Sequence, residues 1–104
     1  MAFKVVFHPA AQREVDDLFD TVALNAGPLV ASRYIDGLLD FIESLAGFPK
    51  RGTIRESKIE GLRIIGYRRR LSIGFVVTDD TVIILGLFAK GRNVTPGLLG
   101  ERLS

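Results

Sequence analysis

The sequence predicts an α+β protein: an N-terminal strand, a helical hairpin and a three-stranded antiparallel meander, with the helices packed on one face of a small sheet. Two amphipathic helical patterns on either side of residues 27–28 fill most of the first half of the chain. Three apolar runs rich in β-branched and aromatic residues, separated by turn-like breaks, occupy residues 61–93. Helices followed by a run of strands favour an antiparallel sheet with its helices on one side.

Length and composition limit what the protein can be. The 104 residues, 47% hydrophobic and 25% charged, predict a single globular domain over residues 1–104. Cysteine is absent and histidine occurs once, so disulfides and thiol catalysis are excluded and neither a metal nor another cofactor is expected. Apolar runs fall short of the ~20 residues of a membrane helix, and the chain opens directly into a strand-like run. We therefore expect a cytoplasmic protein without a membrane segment.

The N-terminal half predicts one strand and two helices. Residues 3–7 alternate in the manner of a short edge or flanking strand. Pro9 suits the first turn of a helix, and apolar residues recur at helical spacing from there to about Asn25. Residues 27–28, Gly-Pro, stop this helix and start a second one, which residues 47–49 end. So short a break predicts that the two helices fold back on each other, each presenting an apolar stripe.

The C-terminal half predicts a loop, three strands and a tail. Residues 49–60 are polar with little periodicity, which is typical of an exposed connecting loop. Turns are predicted at residues 66–68 and 79–80. Residues 82–88 are almost continuously apolar, so this strand is predicted to be central in the sheet. Proline and two glycines in residues 94–104 argue against a long stable helix at the end of the chain.

Charge is distributed unevenly between the two halves. Residues 1–49 hold three basic and seven acidic side chains, whereas residues 50–104 hold eleven basic and five acidic ones. A basic half indicates a surface that meets nucleic acid or an acidic protein segment, although solvated turn residues would give the same pattern. If the arginines bind phosphate, they are expected to project from the sheet face that the helices leave open.

The candidate catalytic residues have simpler structural interpretations. His8 lies at a strand-to-helix junction without an evident partner nearby in sequence, which favours a structural role over that of a general base. Asp16, Asp17 and Asp20 occur at helical spacing among polar residues and indicate a solvated surface rather than a metal site. The sequence contains no glycine-rich phosphate loop, zinc-ligand spacing or serine-nucleophile motif. An ordinary metabolic enzyme is therefore disfavoured.

Short motifs follow one another in a distinctive order along almost the whole chain. They are Pro9-Ala10-Ala11, Glu14-Val15 with Leu18, Leu45 with Phe48-Pro49 and Gly52, Gly61-Leu62-Arg63, and residues 87–93, LFAKGRN. In this order the chain resembles the ParE/RelE superfamily of toxins from type II toxin–antitoxin modules, also called plasmid stabilisation proteins. The resemblance implies a hetero-oligomeric complex with a cognate antitoxin of the ParD-like, ribbon-helix-helix type.

The two branches of this superfamily differ in activity. RelE-like members are ribosome-dependent mRNA endonucleases whose basic cluster stabilises the scissile phosphate. A RelE-like activity would imply that Arg63, Arg70 and Arg92 bind this phosphate. A tyrosine, histidine or glutamate near the last strand often assists, whereas this chain has Phe88 there and neither tyrosine nor histidine after Tyr67. ParE-like members poison DNA gyrase by binding, without a catalytic constellation. The chain resembles the ParE branch more closely, so catalytic residues are not expected, and the RelE-like endonuclease is the alternative.

Two binding surfaces are predicted. The helices carry more apolar residues than one small sheet needs to bury, which indicates a groove for an amphipathic antitoxin segment. The expected antitoxin-binding residues are Leu18, Val22, Tyr34 and Leu38. The expected target-binding residues are the basic side chains Arg63, Arg68, Lys90 and Arg92.

Overall fold

A computed structural model describes residues 3–54, 60–68 and 70–89. Within these residues the predicted α+β class is confirmed, and the two helices pack on one face of the sheet. The predicted C-terminal tail, residues 94–104, lies outside the described part of the chain. The elements are β1 (Lys4–Phe7), α1 (Pro9–Ala26), α2 (Pro28–Glu43), a 3-10 turn (Ser44–Ala46), β2 (Thr53–Ile54), β3 (Arg63–Tyr67), β4 (Leu71–Val77) and β5 (Thr81–Ala89).

The described strands form one five-stranded sheet in the order β1-β5-β4-β3-β2. The predicted meander is present as β3, β4 and β5, and β1 is an edge strand that pairs in parallel with β5. The middle strand is β4, so the prediction that residues 82–88 form the central strand was wrong by one position. β5 is nevertheless interior, between β1 and β4, which accounts for its continuous apolar run.

Two local predictions in the second half also need correction. Residues 49–60 do not form only a loop, because Thr53 and Ile54 pair with Ile64 and Arg63 as strand β2. Two residues are too few to produce an alternating pattern in the sequence. The first hairpin turn was predicted too early, since β3 continues to Tyr67, which pairs with Leu71.

The helical hairpin follows from its end residues. Pro9 occupies the first turn of α1, and the Nδ1 atom of His8 accepts a hydrogen bond of 3.0 Å from the backbone nitrogen of Ala10. The helices meet at Gly27, whose φ of 92° is a conformation that residues with a Cβ rarely adopt. The backbone nitrogen of Gly27 also donates to the carbonyl of Ala23 at 2.8 Å, which closes the last turn of α1.

The main core lies between the helical hairpin and the sheet. Alternate residues of β4 point toward the helices and meet the apolar stripe of α2. An ionisable side chain takes part in this contact, because an Oε1 atom of Glu14 in α1 accepts a hydrogen bond of 3.2 Å from the backbone nitrogen of Leu87 in β5. The described residues of this main core that have no exposed surface are Ala11, Leu38, Leu45, Ile73, Phe75, Val82 and Ile84.

The opposite face of the sheet is apolar rather than basic. The pairing of β4 with β5 shifts by one residue between Gly74 and Phe75, so that Ile84 and Leu87 both join the main core. Leu85 and Phe88 instead join a second buried cluster with Leu62 and Val76, packed against Ile64 and Ile83. The expectation that the strand arginines project from this face was wrong for Arg63, which alternates with Ile65 and Tyr67 on the helix side.

Candidate functional site

An apolar groove lies between the two helices and the start of β4. Its volume is about 590 Å³, and the described side chains along it are mainly aliphatic. Tyr34 and Arg70 lie with Leu71 at the sheet end of the groove, where β4 begins, while Ala26 and Val30 lie toward the tip of the hairpin. We call this the helical groove, defined by Leu18, Thr21, Val22, Asn25, Ala26, Val30, Tyr34, Arg70 and Leu71.

The helical groove brings together three of the four residues predicted to bind an antitoxin. Leu18, Val22 and Tyr34 all line it, and each is only partly buried. Leu38 does not line it, because its side chain has no exposed surface and belongs to the main core. Two lining residues were not predicted: Val30, which is 47% exposed, and Leu71, which starts a strand. The helical spacing of Val30 and Tyr34, four residues apart, is the signal that would have added Val30.

Aromatic and basic side chains meet where α2 passes the turn between β3 and β4. The rings of Tyr34 and Tyr67 form an edge-to-face pair with centroids 6.1 Å apart, and the guanidinium carbon of Arg68 lies 5.3 Å from the centroid of Tyr67. Arg70 lines the adjoining end of the helical groove together with Tyr34. We call this cluster of Tyr34, Tyr67, Arg68 and Arg70 the basic corner.

The phenol of Tyr34 remains protonated in this environment. Burial raises the pKa of Tyr34 above its usual value, and the neighbouring Tyr67 raises this pKa further. The positive charges of Arg68 and Arg70 act in the opposite direction without reversing the shift of this pKa. The Tyr34 hydroxyl is therefore a neutral hydrogen-bond donor at physiological pH.

Space for the basic corner comes from Gly37 in α2. A Cβ atom at position 37 would lie 2.8 Å from the Tyr67 hydroxyl oxygen and 3.6 Å from an Nη2 atom of Arg68. The tyrosine ring cannot shift freely, because Phe41 packs on it with a centroid distance of 5.0 Å. The sequence signal for this close approach is an isolated glycine within a helical pattern.

Replacing Gly37 with alanine is expected to destabilise the protein, although alanine is normally the better helix former by about 1 kcal/mol. The added methyl group would displace the Tyr67 ring, and we expect the free energy of unfolding to fall by about 1–3 kcal/mol in urea titrations. Adding Tyr67→Phe removes the clashing oxygen, so the double variant is expected to be at least as stable as Tyr67→Phe alone, by up to about 1 kcal/mol of helix propensity. Equal stability of Gly37→Ala and the wild type would contradict the close packing of this corner.

The arginines predicted to contact a target or a phosphate do not form a single cluster. Arg63 begins β3, whereas Arg68 and Arg70 lie in the turn beyond its other end; Arg68 is five residues from Arg63, or roughly 17 Å along the strand at about 3.3 Å per residue. Arg63 is half-buried beside β2, where it pairs with Ile54. Lys90 and Arg92 lie outside the described residues.

A second basic and aromatic region lies at the other end of α2. The guanidinium of Arg51 stacks on the ring of Phe41 at 5.1 Å and donates from Nη1 to the Ser44 hydroxyl at 2.9 Å. It borders an open depression that Phe3 and the exposed Phe48 also line. Arg51 is thereby held to the end of α2, and the Phe41 ring beneath it packs in turn on Tyr67 of the basic corner.

The described residues offer no metal-binding group of three or more histidine, aspartate or glutamate side chains. Asp16, Asp17 and Asp20 are all exposed on α1. His8 caps α1 through Nδ1, which engages this nitrogen in a structural hydrogen bond. None of the helices in the described ranges is sufficiently long and apolar to cross a membrane.

Comparison with protein families gives a match that covers most of the chain. Residues 5–94 match the model of the ParE toxin of type II toxin–antitoxin systems, parDE. The chain belongs to the ParE toxin family. This match extends from β1 through the final strand, so the helical groove and the basic corner both lie on the ParE-type scaffold. No curated protein sequence matches this ParE-family chain closely.

Solved structures show that the fold is shared with both ParE-type and RelE-type toxins. A chromosomal ParDE toxin–antitoxin system from Pseudomonas aeruginosa matches with a TM-score of 0.72 and 20% identity over 85% of this chain and 96% of that one. The RelBE2 toxin–antitoxin complex of Mycobacterium tuberculosis matches with a TM-score of 0.65 and 19% identity over 86% and 100% of the chains. A mutant of the Escherichia coli toxin RelE in its free state also gives 0.65, with 15% identity over 99% and 96%.

Proposed function

We propose that this toxin acts as ParE-like toxins do, by binding and poisoning DNA gyrase, and that a cognate ParD-like antitoxin of the ribbon-helix-helix type neutralises it in a hetero-oligomeric complex. The observation that carries the proposal is the match of residues 5–94 to the ParE toxin family. The P. aeruginosa ParDE system, in which a toxin and an antitoxin occur together, supports the presence of an antitoxin.

The helical groove is the proposed antitoxin-binding surface. Its aliphatic lining by Leu18, Val22 and Val30 fits the apolar face of an amphipathic segment, and burying that face excludes water from both partners. Leu38, which the sequence also suggested, is proposed to act only indirectly, because it holds α2 against the sheet. The gyrase-binding residues are proposed to be the basic side chains Arg63, Arg68, Lys90 and Arg92.

Ribosome-dependent mRNA cleavage is the alternative, because RelBE2 and RelE share the fold. That activity would need a basic cluster around one phosphate, with Arg63, Arg70 and Arg92 as its proposed members. The separation of Arg63 from Arg70 by the length of β3 does not favour such a cluster. Gyrase poisoning is therefore the function that we prefer.

Induction of the toxin alone is expected to arrest growth and to trigger the DNA-damage response, and co-expression of its antitoxin is expected to restore growth. A gyrase poison leaves gyrase trapped on cleaved DNA, so purified toxin added to gyrase and plasmid is expected to yield linear DNA after protease treatment. Primer extension on translated messages measures the alternative activity in the same cells. The matched control is the toxin purified together with excess antitoxin, which is expected to leave gyrase active.

Two results would count against gyrase poisoning. Discrete, ribosome-dependent cuts in messenger RNA without trapped gyrase would assign the toxin to the RelE-like activity. Equal growth of induced and uninduced cultures, at a confirmed level of folded protein, would contradict a toxin role of either kind.

A further inference from the structure

The turn between β3 and β4 is built at an energetic disadvantage. Arg68 has a φ of 49°, and among the described residues it is the non-glycine residue with a positive φ. Glycine and asparagine adopt this left-handed conformation readily, whereas an arginine is strained in it. Strained backbone persists where the surrounding structure or a function requires it. Here the conformation places the Arg68 guanidinium over Tyr67 and beside Gly37 of α2.

The guanidinium groups of the basic corner have no acidic partner within the described parts of the chain. The described contacts of Arg68 are the stacking on Tyr67 and the approach to Gly37, and Arg70 donates from its backbone nitrogen to the carbonyl of Tyr67 at 3.3 Å. The Arg68 guanidinium, which stacks on Tyr67 and forms no ion pair with the described residues, is suited to bind a carboxylate from another molecule.

The basic corner continues directly into the helical groove. Tyr34 and Arg70 belong to both, and the aliphatic residues Leu18, Val22 and Val30 extend from them toward the hairpin tip. An occupant of this surface therefore meets apolar side chains along most of its length and two positive charges at one end. Charge complementarity at that end selects an acidic residue next to an apolar stripe.

We infer that the basic corner is a carboxylate-binding site that fixes the register of the antitoxin: an aspartate or glutamate of the antitoxin segment in the helical groove binds Arg68 and Arg70, with the Tyr34 hydroxyl as a third donor. This inference rests on the proposed function, because the occupant is the antitoxin of this toxin. Beyond that function, the inference states which end of the helical groove determines the specificity for the antitoxin and which side chains are responsible. The hydroxyl of Tyr34 can donate because the usual pKa of a phenol already lies well above physiological pH, and burial raises the pKa of Tyr34 further.

The decisive variant is Arg68→Gly, because the two effects of this change go in opposite directions. Glycine relieves the left-handed backbone, so the melting temperature is expected to stay the same or rise. Loss of the guanidinium is expected to weaken binding of the cognate antitoxin by roughly tenfold to a hundredfold in calorimetric titration. Arg70→Gln and Tyr34→Phe are expected to weaken binding as well, the latter by the smaller factor because it removes a neutral donor.

Arg13→Gln is the matched control, since it removes the same charge from an exposed position on α1 that does not line the groove. The probe is the antitoxin encoded beside the toxin gene, with each aspartate and glutamate of its toxin-binding segment changed in turn to the amide. One such change is expected to weaken binding to the wild type and to have little further effect on Arg70→Gln, as a double-mutant cycle requires for contacting groups. An antitoxin lengthened by two glycines at its C-terminus is expected to bind normally, because the group that binds Arg68 and Arg70 is a side-chain carboxylate and not the C-terminal carboxylate.

Several outcomes would overturn the inference while leaving the proposed function intact. One is an antitoxin affinity within about twofold of wild type for both Arg68→Gly and Arg70→Gln at low salt. Another is that the antitoxin loses binding when two glycines are added to its C-terminus but not when any of its aspartates or glutamates is changed to the amide. Self-association of the toxin that Arg70→Gln abolishes would assign the corner to a second copy of the chain. Failure of the wild-type toxin to bind the antitoxin at all would instead contradict the proposed function.

Discussion

Leu38→Ala is expected to lower the free energy of unfolding by about 2–5 kcal/mol. Leu38 has no exposed surface and lies in the main core with Ile42 of α2 and Phe75 of β4. Alanine removes apolar contacts and leaves a cavity that close-packed neighbours fill only in part. Each kcal/mol lowers the melting temperature of a chain this size by about 4–8 °C, so thermal melting followed by circular dichroism measures the change readily.

The neighbouring leucine provides the control for this experiment. Leu39 is 36% exposed on the same helix, so Leu39→Ala keeps the chemistry and the helix propensity of the change but removes much less buried surface. Leu39→Ala is expected to lower the free energy of unfolding by less than about 1 kcal/mol. A comparable loss of stability for the two variants would contradict the assignment of Leu38 to the core. Weakened antitoxin binding by Leu38→Ala cannot by itself be assigned to a lost contact, because the scaffold is also destabilised.

The helical hairpin was predictable because its signals are local. A periodicity of 3.6 residues, Pro9 at one start and residues 27–28 at the break each act within a few residues along the chain. The same is true of β4 and β5, whose apolar and β-branched residues mark them as strands. Partner and direction depend on distant residues, so the sequence could not show that β1 pairs in parallel with β5 or that residues 53–54 add a fifth strand.

The side of the sheet on which Arg63 lies illustrates a second limit of prediction from sequence. Alternation reveals the buried face of a strand only when polar and apolar residues alternate, and Ile64 and Ile65 are both apolar. Either face could therefore have been the buried one. The sheet in fact has apolar clusters on both sides, with Ile65 in the main core and Ile64 in the second cluster. Arg63 consequently lies on the helix side.

The candidate site likewise has one part that local sequence patterns predict and one part that depends on contacts between distant residues. Leu18, Val22 and Tyr34 could be predicted because they fall on the apolar stripes of the two helices. The basic corner could be predicted only in part: the isolated Gly37 indicates a close approach to α2, but its partner Tyr67 is 30 positions away in the sequence and is revealed only by the fold. Local patterns thus predicted the aliphatic part of the groove, whereas its charged end required the tertiary structure.

Val22→Glu is expected to abolish neutralisation by the antitoxin without unfolding the toxin. Val22 is partly buried on the wall of the helical groove, so the new carboxylate would be covered by the apolar face of the bound antitoxin segment. Burying a charge without a partner is strongly unfavourable, and we expect the dissociation constant to rise by at least roughly a hundredfold. The fold should tolerate the change, because glutamate is a better helix former than valine and can reach water in the free toxin.

Leu24→Glu tests whether position, rather than charge, causes this effect. Leu24 lies two residues further along α1, is 89% exposed and does not line the groove. It receives the same change from an aliphatic to an acidic side chain, and we expect antitoxin binding close to that of the wild type. Calorimetric titration of the purified variants measures the affinities, with circular dichroism as the check on folding. If folded Val22→Glu bound the antitoxin tightly, or if both variants weakened antitoxin binding equally, the helical groove would be excluded as the antitoxin-binding surface.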